Sequence, residues 1–150
     1  MYKRCLVLII ILLANAWPSV CDAASELQEY KGMRWGSEPS PRMVKVANPW
    51  AGVDVYIWRD NRYTTPLFGI PVSTEVFFCR QNALYRVSVR LNEKGALEGV
   101  RKSLINAYGL PKIPKPEIGI WQWYWPNGQS EIQITQDASP PSTLVTFATK

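Results

Sequence analysis

Thr74-Glu75-Val76-Phe77-Phe78-Cys79-Arg80-Gln81-Asn82-Ala83-Leu84-Tyr85-Arg86-Val87-Ser88-Val89-Arg90-Leu91 reads as two strands, residues 74–79 and 84–91, folded back on each other around residues 80–83. Aromatic and β-branched residues fill both halves, and the polar stretch between them breaks the alternation where a hairpin turns. A two-residue or a four-residue loop centred there gives the same parity, pairing Phe78 with Tyr85 and Val76 with Val87. One face is then expected to carry Val76, Phe78, Tyr85, Val87, Val89 and Leu91, with Glu75, Phe77, Arg86, Ser88 and Arg90 opposite. Arg86 and Arg90 are candidate contacts for an anionic lipid or glycan, although arginines spaced this way also mark an ordinary solvated sheet face.

Beyond the hairpin, Asn92 is placed to cap the one long helix of the chain, residues 93–108. Leu97, Val100, Leu104, Ala107 and Tyr108 recur at intervals of three and four and form its apolar stripe, and Gly109 with Pro111 ends it. Residues 118–125, Ile-Gly-Ile-Trp-Gln-Trp-Tyr-Trp, form a strand that returns over residues 130–136 after the turn Pro126-Asn127-Gly128-Gln129. With Asn127-Gly128 as a two-residue loop, Trp121 faces Ile134 and Trp123 faces Ile132. Both tryptophans then belong to the core beneath the helix, with Trp125 half exposed at the turn. A three-residue loop would instead set them against Gln133 and Glu131, burying polar groups. The polar side of this hairpin holds Gln122, Tyr124, Glu131 and Gln133, where Tyr124 can stack on a sugar and its neighbours can hydrogen-bond. A last strand spans about residues 143–149.

Before the hairpin, residues 27–35 read as a first strand closed by Gly36. Ser40-Pro41 then suits the start of a short helix to about Val46. Residues 53–59 alternate, with Val53, Val55 and Ile57 on one side and Asp54, Tyr56 and Trp58 on the other. Both sides are apolar, so the strand is either covered twice or exposes Tyr56 and Trp58 as a patch for a protein partner. The expected architecture is α+β: a mainly antiparallel sheet of about six or seven strands, one long helix (93–108) and one short helix (about 40–46).

The amino terminus has a different character. Lys3 and Arg4 precede the uncharged run Cys5 to Trp17, which is too short to span a bilayer as a helix, and Cys21-Asp22-Ala23 offers small residues for cleavage after Ala23. Ala14-Asn15-Ala16 is a possible earlier site. Residues 1–23 are therefore expected to be a cleaved export leader, leaving residues 24–150 as one domain in the periplasm or outside the cell, with no stable transmembrane anchor. Pro18-Ser19-Val20 ahead of Cys21 lacks the leucine and spacing of a lipidation site. Once the leader is gone, Cys79 is the one thiol, and no internal disulfide can form.

Composition then narrows the chemistry. The 150 residues carry 17 Lys and Arg against 12 Asp and Glu, a formal charge of +5, and no histidine. The usual neutral-pH base and the commonest metal ligand are both missing. Acidic residues are scattered, and no glycine-rich phosphate loop occurs. The expectation is no metal, no cofactor and no catalytic residue, with Cys79 read as a buried small hydrophobe rather than a nucleophile. The positive charge suits anionic envelope surfaces, whereas export argues against a nucleic-acid partner.

Tyr30-Lys31-Gly32-Met33-Arg34-Trp35-Gly36, the Phe77-Phe78 to Leu84-Tyr85 hairpin, Tyr108-Gly109-Leu110-Pro111 and the tryptophan-bearing strands after it carry a resemblance. Together they resemble a group of uncharacterised small exported bacterial proteins, with a G-x-x-W-G start, a middle aromatic hairpin and a Y-G-x-P helix end. The resemblance spans most of residues 27–136 and implies an envelope location and a fold outline; it brings no catalytic residues. In outline the order of elements is also similar to the β-lactamase-inhibitor-like fold, an analogy of fold alone. The function expected from all this is a non-enzymatic protein-interaction or assembly accessory module of the envelope. A binding protein for envelope glycan or anionic lipid is the alternative.

Overall fold

The computed structural model of the chain describes residues 26–125, 128–138 and 141–150. The expected leader, residues 1–23, and Pro126 and Asn127 of the expected turn lie outside the described residues. Among the described residues no helix is long and apolar enough to cross a membrane. They form an α+β structure of mostly antiparallel strands with one α-helix, and the strands number ten, in two sheets, rather than six or seven.

The additional strands arise in three places. Residues 27–35 divide into β1 (Glu29–Tyr30) and β2 (Met33–Arg34), because the chain reverses at Lys31 and Gly32. Both turn residues have positive φ, 47° and 80°, a conformation glycine adopts freely. The short helix expected at 40–46 does not form. Ser40 closes one turn by accepting the Met43 N–H at 2.9 Å, and β3 (Met43–Trp50) then runs as an edge strand against β4 (Val53–Trp58). Val44 and Val46 favour extended backbone, and a neighbouring strand supplies more hydrogen bonds than a one-turn helix can. Finally, the proline-rich connection after the helix contributes β7 (Ile113–Lys115) at the far edge.

The central hairpin forms with a changed face. β5 (Thr74–Arg80) and β6 (Ala83–Leu91) turn at Gln81-Asn82, with φ 50° and 65°. Arg80 pairs with Ala83 and Cys79 with Leu84, after which the register shifts, so that Phe78 faces Arg86 and Phe77 faces Val87. The expected Phe78–Tyr85 and Val76–Val87 pairs are therefore absent. One extra residue, Tyr85, sits in β6, and such a bulge keeps two successive side chains on one side of the sheet. Glu75, Phe77 and Cys79 consequently join the core with Leu84, Val87, Val89 and Leu91, while Val76, Phe78 and Tyr85, expected on the same face as Val87, are only half-buried.

The helix, α1 (Ala96–Tyr108), starts later than expected, after Gly95 rather than Asn92. Ala96, Val100 and Leu104 are buried, Leu97 and Tyr108 are half-buried, and Ala107 is exposed rather than part of the stripe. Gly109 closes it through its N–H to Ile105 O, 2.8 Å, at a φ of 78°. β8 (Ile120–Tyr124) and β9 (Ser130–Ala138) pair in the two-residue-loop register, Trp121 with Ile134 and Trp123 with Ile132. The Trp123 indole N–H donates to Gly109 O at 2.8 Å, tying the helix end to the sheet. β10 (Pro141–Thr149) lies between β6 and β9, giving the order β3-β4-β5-β6-β10-β9-β8-β7.

A buried carboxylate joins the small sheet to the large one. Glu75, 4% exposed, accepts hydrogen bonds from the Tyr30 hydroxyl and the Trp58 indole, and from Lys31 Nζ at 2.8 Å. Lys31 also reaches Thr65 O at 2.7 Å. Burial, followed by the Glu75 charge, pushes the Tyr30 hydroxyl far above its ordinary range, so it remains a donor. At the other end, Glu26 accepts the backbone N–H groups of Gln129 and Ser130 at 2.5 and 2.8 Å, which hold its carboxyl below its ordinary value. Replacing Glu75 by Ala removes the acceptor of three donors and is expected to cost about 3 kcal/mol of stability in urea unfolding. Tyr30→Phe should cost about 1 kcal/mol, and a near-neutral Glu75→Ala would show that the clamp contributes little.

Candidate functional site

The large sheet has two unlike faces. Its inner face carries α1, the β1–β2 hairpin and the segment around Leu67 and Ile70, all packed into one hydrophobic cluster with Phe77, Val87, Val145, Ile132 and Trp123. Full burial of a side chain such as Phe77 contributes about 1.5–3 kcal/mol. Strand alternation sends the intervening side chains to the outer face, where they align in three cross-strand rows. The first is Phe78, Arg86, Ala148, Glu131 and Tyr124; the second is Val76, Ser88, Thr146, Gln133 and Gln122; the third is Thr74, Arg90, Leu144, Thr135 and Ile120.

Topology thus brings together five candidates that belong to two separate hairpins. Arg86 and Arg90 from β6 share a face with Gln122, Tyr124 and Glu131 from β8 and β9, because β10 is inserted between the two pairs. Arg86 and Glu131 flank Ala148, a separation of two strand spacings, about 10 Å. The small side chains Thr146 and Ala148 lie low between these longer ones. Gln122 Nε2 donates to Glu131 Oε2 at 3.2 Å, and Tyr124 stands 38% exposed beside them.

Two arginines rest over aromatic rings. The Arg86 guanidinium is 5.5 Å from the Phe78 ring centre, and that of Arg80 is 4.7 Å from the Tyr85 ring. Next to them Thr74, Val76, Phe78, Ser88, Arg90 and Leu144 line an open groove of about 440 Å³. The sequence pattern sets Val76 and Phe78 on one face with Val87 and Val89, and nothing in their local sequence marks them as groove residues. A larger cleft of about 720 Å³ lies between Glu26, Arg34, Trp35 and Gln129, but the Glu26 carboxylate there is already engaged by backbone N–H groups.

The remaining candidates lie on the inner face. Tyr56 and Trp58 are half-buried against the core. Trp58 packs on Phe77 at 5.0 Å and on Tyr63 at 5.9 Å, with its indole N–H directed to Glu75. Trp125 is half-buried, edge-on to Tyr108 at 5.6 Å. Cys79 is 1% exposed, and burial, with the Asp54 charge adding to it, pushes its thiol up to about 11. Among the described residues no group of three or more Cys, Asp or Glu stands together in a way that could hold a metal ion.

Compared with models of known protein families, with curated proteins and with solved structures, the chain gives no match.

A thiol with a pKa near 11 is ionised to about one part in a thousand at pH 8. Residues 24–150, folded, are accordingly expected to react with a disulfide reagent at least about a hundredfold more slowly than the same chain in urea. Fast labelling of the folded chain would restore Cys79 as a reactive group.

Proposed function

We propose that this chain is an exported, non-enzymatic docking module of the cell envelope that receives a protein partner on its outer sheet face. The carrying observation is the three-row strip itself, on which aromatic, cationic, hydroxyl, amide and carboxylate side chains from β5, β6, β10, β9 and β8 converge on one surface. The leader-like residues 1–23 support export. The mixture of charges, Arg86 and Arg90 against Glu131, suits a protein surface of matching pattern more than a uniformly anionic one.

A second reading, binding of an envelope glycan, is favoured by one arrangement. Tyr124 stands exposed next to the Gln122–Glu131 pair, an aromatic face beside polar groups. The two readings separate on photo-crosslinking in the native envelope, with a photoreactive residue at Ser88 or Gln133 on the outer face and at Lys102 on the helix as control. A discrete protein adduct is expected from both outer-face positions and not from Lys102. Absence of any protein adduct, together with saturable quenching by peptidoglycan fragments that Tyr124→Ala abolishes, would transfer the reading to glycan binding.

A further inference from the structure

Two guanidiniums on the outer face rest on aromatic rings rather than on carboxylates. Lys31, Lys45, Arg62 and Arg101 each have an acidic partner within 3 Å, whereas among the described residues Arg80 and Arg86 have none. The Nε–H of Arg86 is in addition buried without a hydrogen-bond acceptor. A donor in that condition carries an unrecovered desolvation cost, which an arriving acceptor removes. Glu131, the carboxylate of the same row, is held two strands away and accepts from Gln122.

Resting on the docking reading, we infer that the protein partner presents an extended acidic and apolar segment to this face, anchored by a carboxylate on Arg86. The guanidinium turns off the Phe78 ring and takes the carboxylate side-on, through its Nε–H and one Nη–H, a planar fork that lysine cannot reproduce. The groove beside it, floored by Val76, Phe78 and Leu144, takes an apolar side chain. The spacing fits such a segment. Rows on the sheet are two residues apart along each strand, about 7 Å, which is also the distance between same-side residues of an extended peptide. A uniformly anionic membrane would meet Glu131 as well as Arg86 and would gain less.

The test uses the peptide Ac-Thr-Glu-Thr-Leu-Thr-amide, its Gln-for-Glu counterpart and phosphatidylglycerol vesicles as probes, followed by the arginine Nε–Hε and backbone resonances of the protein. The Glu peptide is expected to shift the Arg86 Nε–Hε signal saturably. The Gln peptide, and the Glu peptide on Arg86→Gln, should bind at least about fivefold more weakly, while Arg101→Gln behaves as the parent. Equal binding of the two peptides, or binding that survives Arg86→Gln in a variant with an intact backbone spectrum, would overturn the anchor. A shift with vesicles and none with the Glu peptide would overturn the peptide assignment. In the envelope, a Ser88 adduct that persists in Arg86→Gln overturns the anchor and leaves docking standing, whereas no adduct from any outer-face position overturns both.

Discussion

One extra residue in β6 determines what this sheet buries and what it shows to solvent. The Gln81-Asn82 turn sets Arg80 against Ala83 and Cys79 against Leu84, and Tyr85 then makes two residues of β6 face the single residue Phe78. Without that bulge every side chain beyond it on β5 would change sides. With it, Phe77 and Glu75 point into the core and Val76 and Phe78 point out beside Arg86, Ser88 and Arg90. The same irregularity therefore supplies the buried acceptor of the clamp and the apolar floor of the groove.

The clamp shows how the inward half is used. Glu75 is a costly residue to bury, and it is tolerated because Tyr30, Lys31 and Trp58 all donate to it. Those donors come from the β1–β2 hairpin and from β4, so the network holds a two-stranded element that is too small to be stable by itself. Tyr30 and Trp58 both pack on Phe77, which places polar satisfaction and apolar packing around one fully buried ring. Trp58, which with Tyr56 suggests a binding patch in the sequence, is one of these donors and packs on that ring. The outward half is unlike it: Arg80 and Arg86 there meet rings, and β10 inserts the short side chains Thr146 and Ala148 between the longer ones of β6 and β9.

Local chemistry was legible in the sequence where a single periodicity dominated. Trp121 and Trp123 alternate with Gln122 and Tyr124, so their register against Ile132 and Ile134 could be read, as could the stop at Gly109. The bulge could not, because an extra residue of ordinary character leaves no mark on the alternation of residues 84–91. Ser40-Pro41 carries a helix-start signal that pairing of Val44 with Ile57 overrides, a tertiary effect absent from any short window. Tyr56 and Trp58 were ambiguous since both faces of their strand are apolar. Arg86, Arg90, Gln122, Tyr124 and Glu131 could each be singled out, but neither the groove residues Val76, Phe78 and Leu144 nor the convergence of the five could, because that depends on the bulge and on β10, late in the chain, lying between β6 and β9.

A soluble paramagnetic relaxation agent, added while the side-chain signals of the folded protein are recorded, tests most directly whether one face of the sheet is open and which residues line it. Broadening of Val76, Phe78 and Leu144 with Phe77, Val87 and Val89 spared is the expected result. Sparing of both sets, or broadening of Phe77 in place of Phe78, would contradict it.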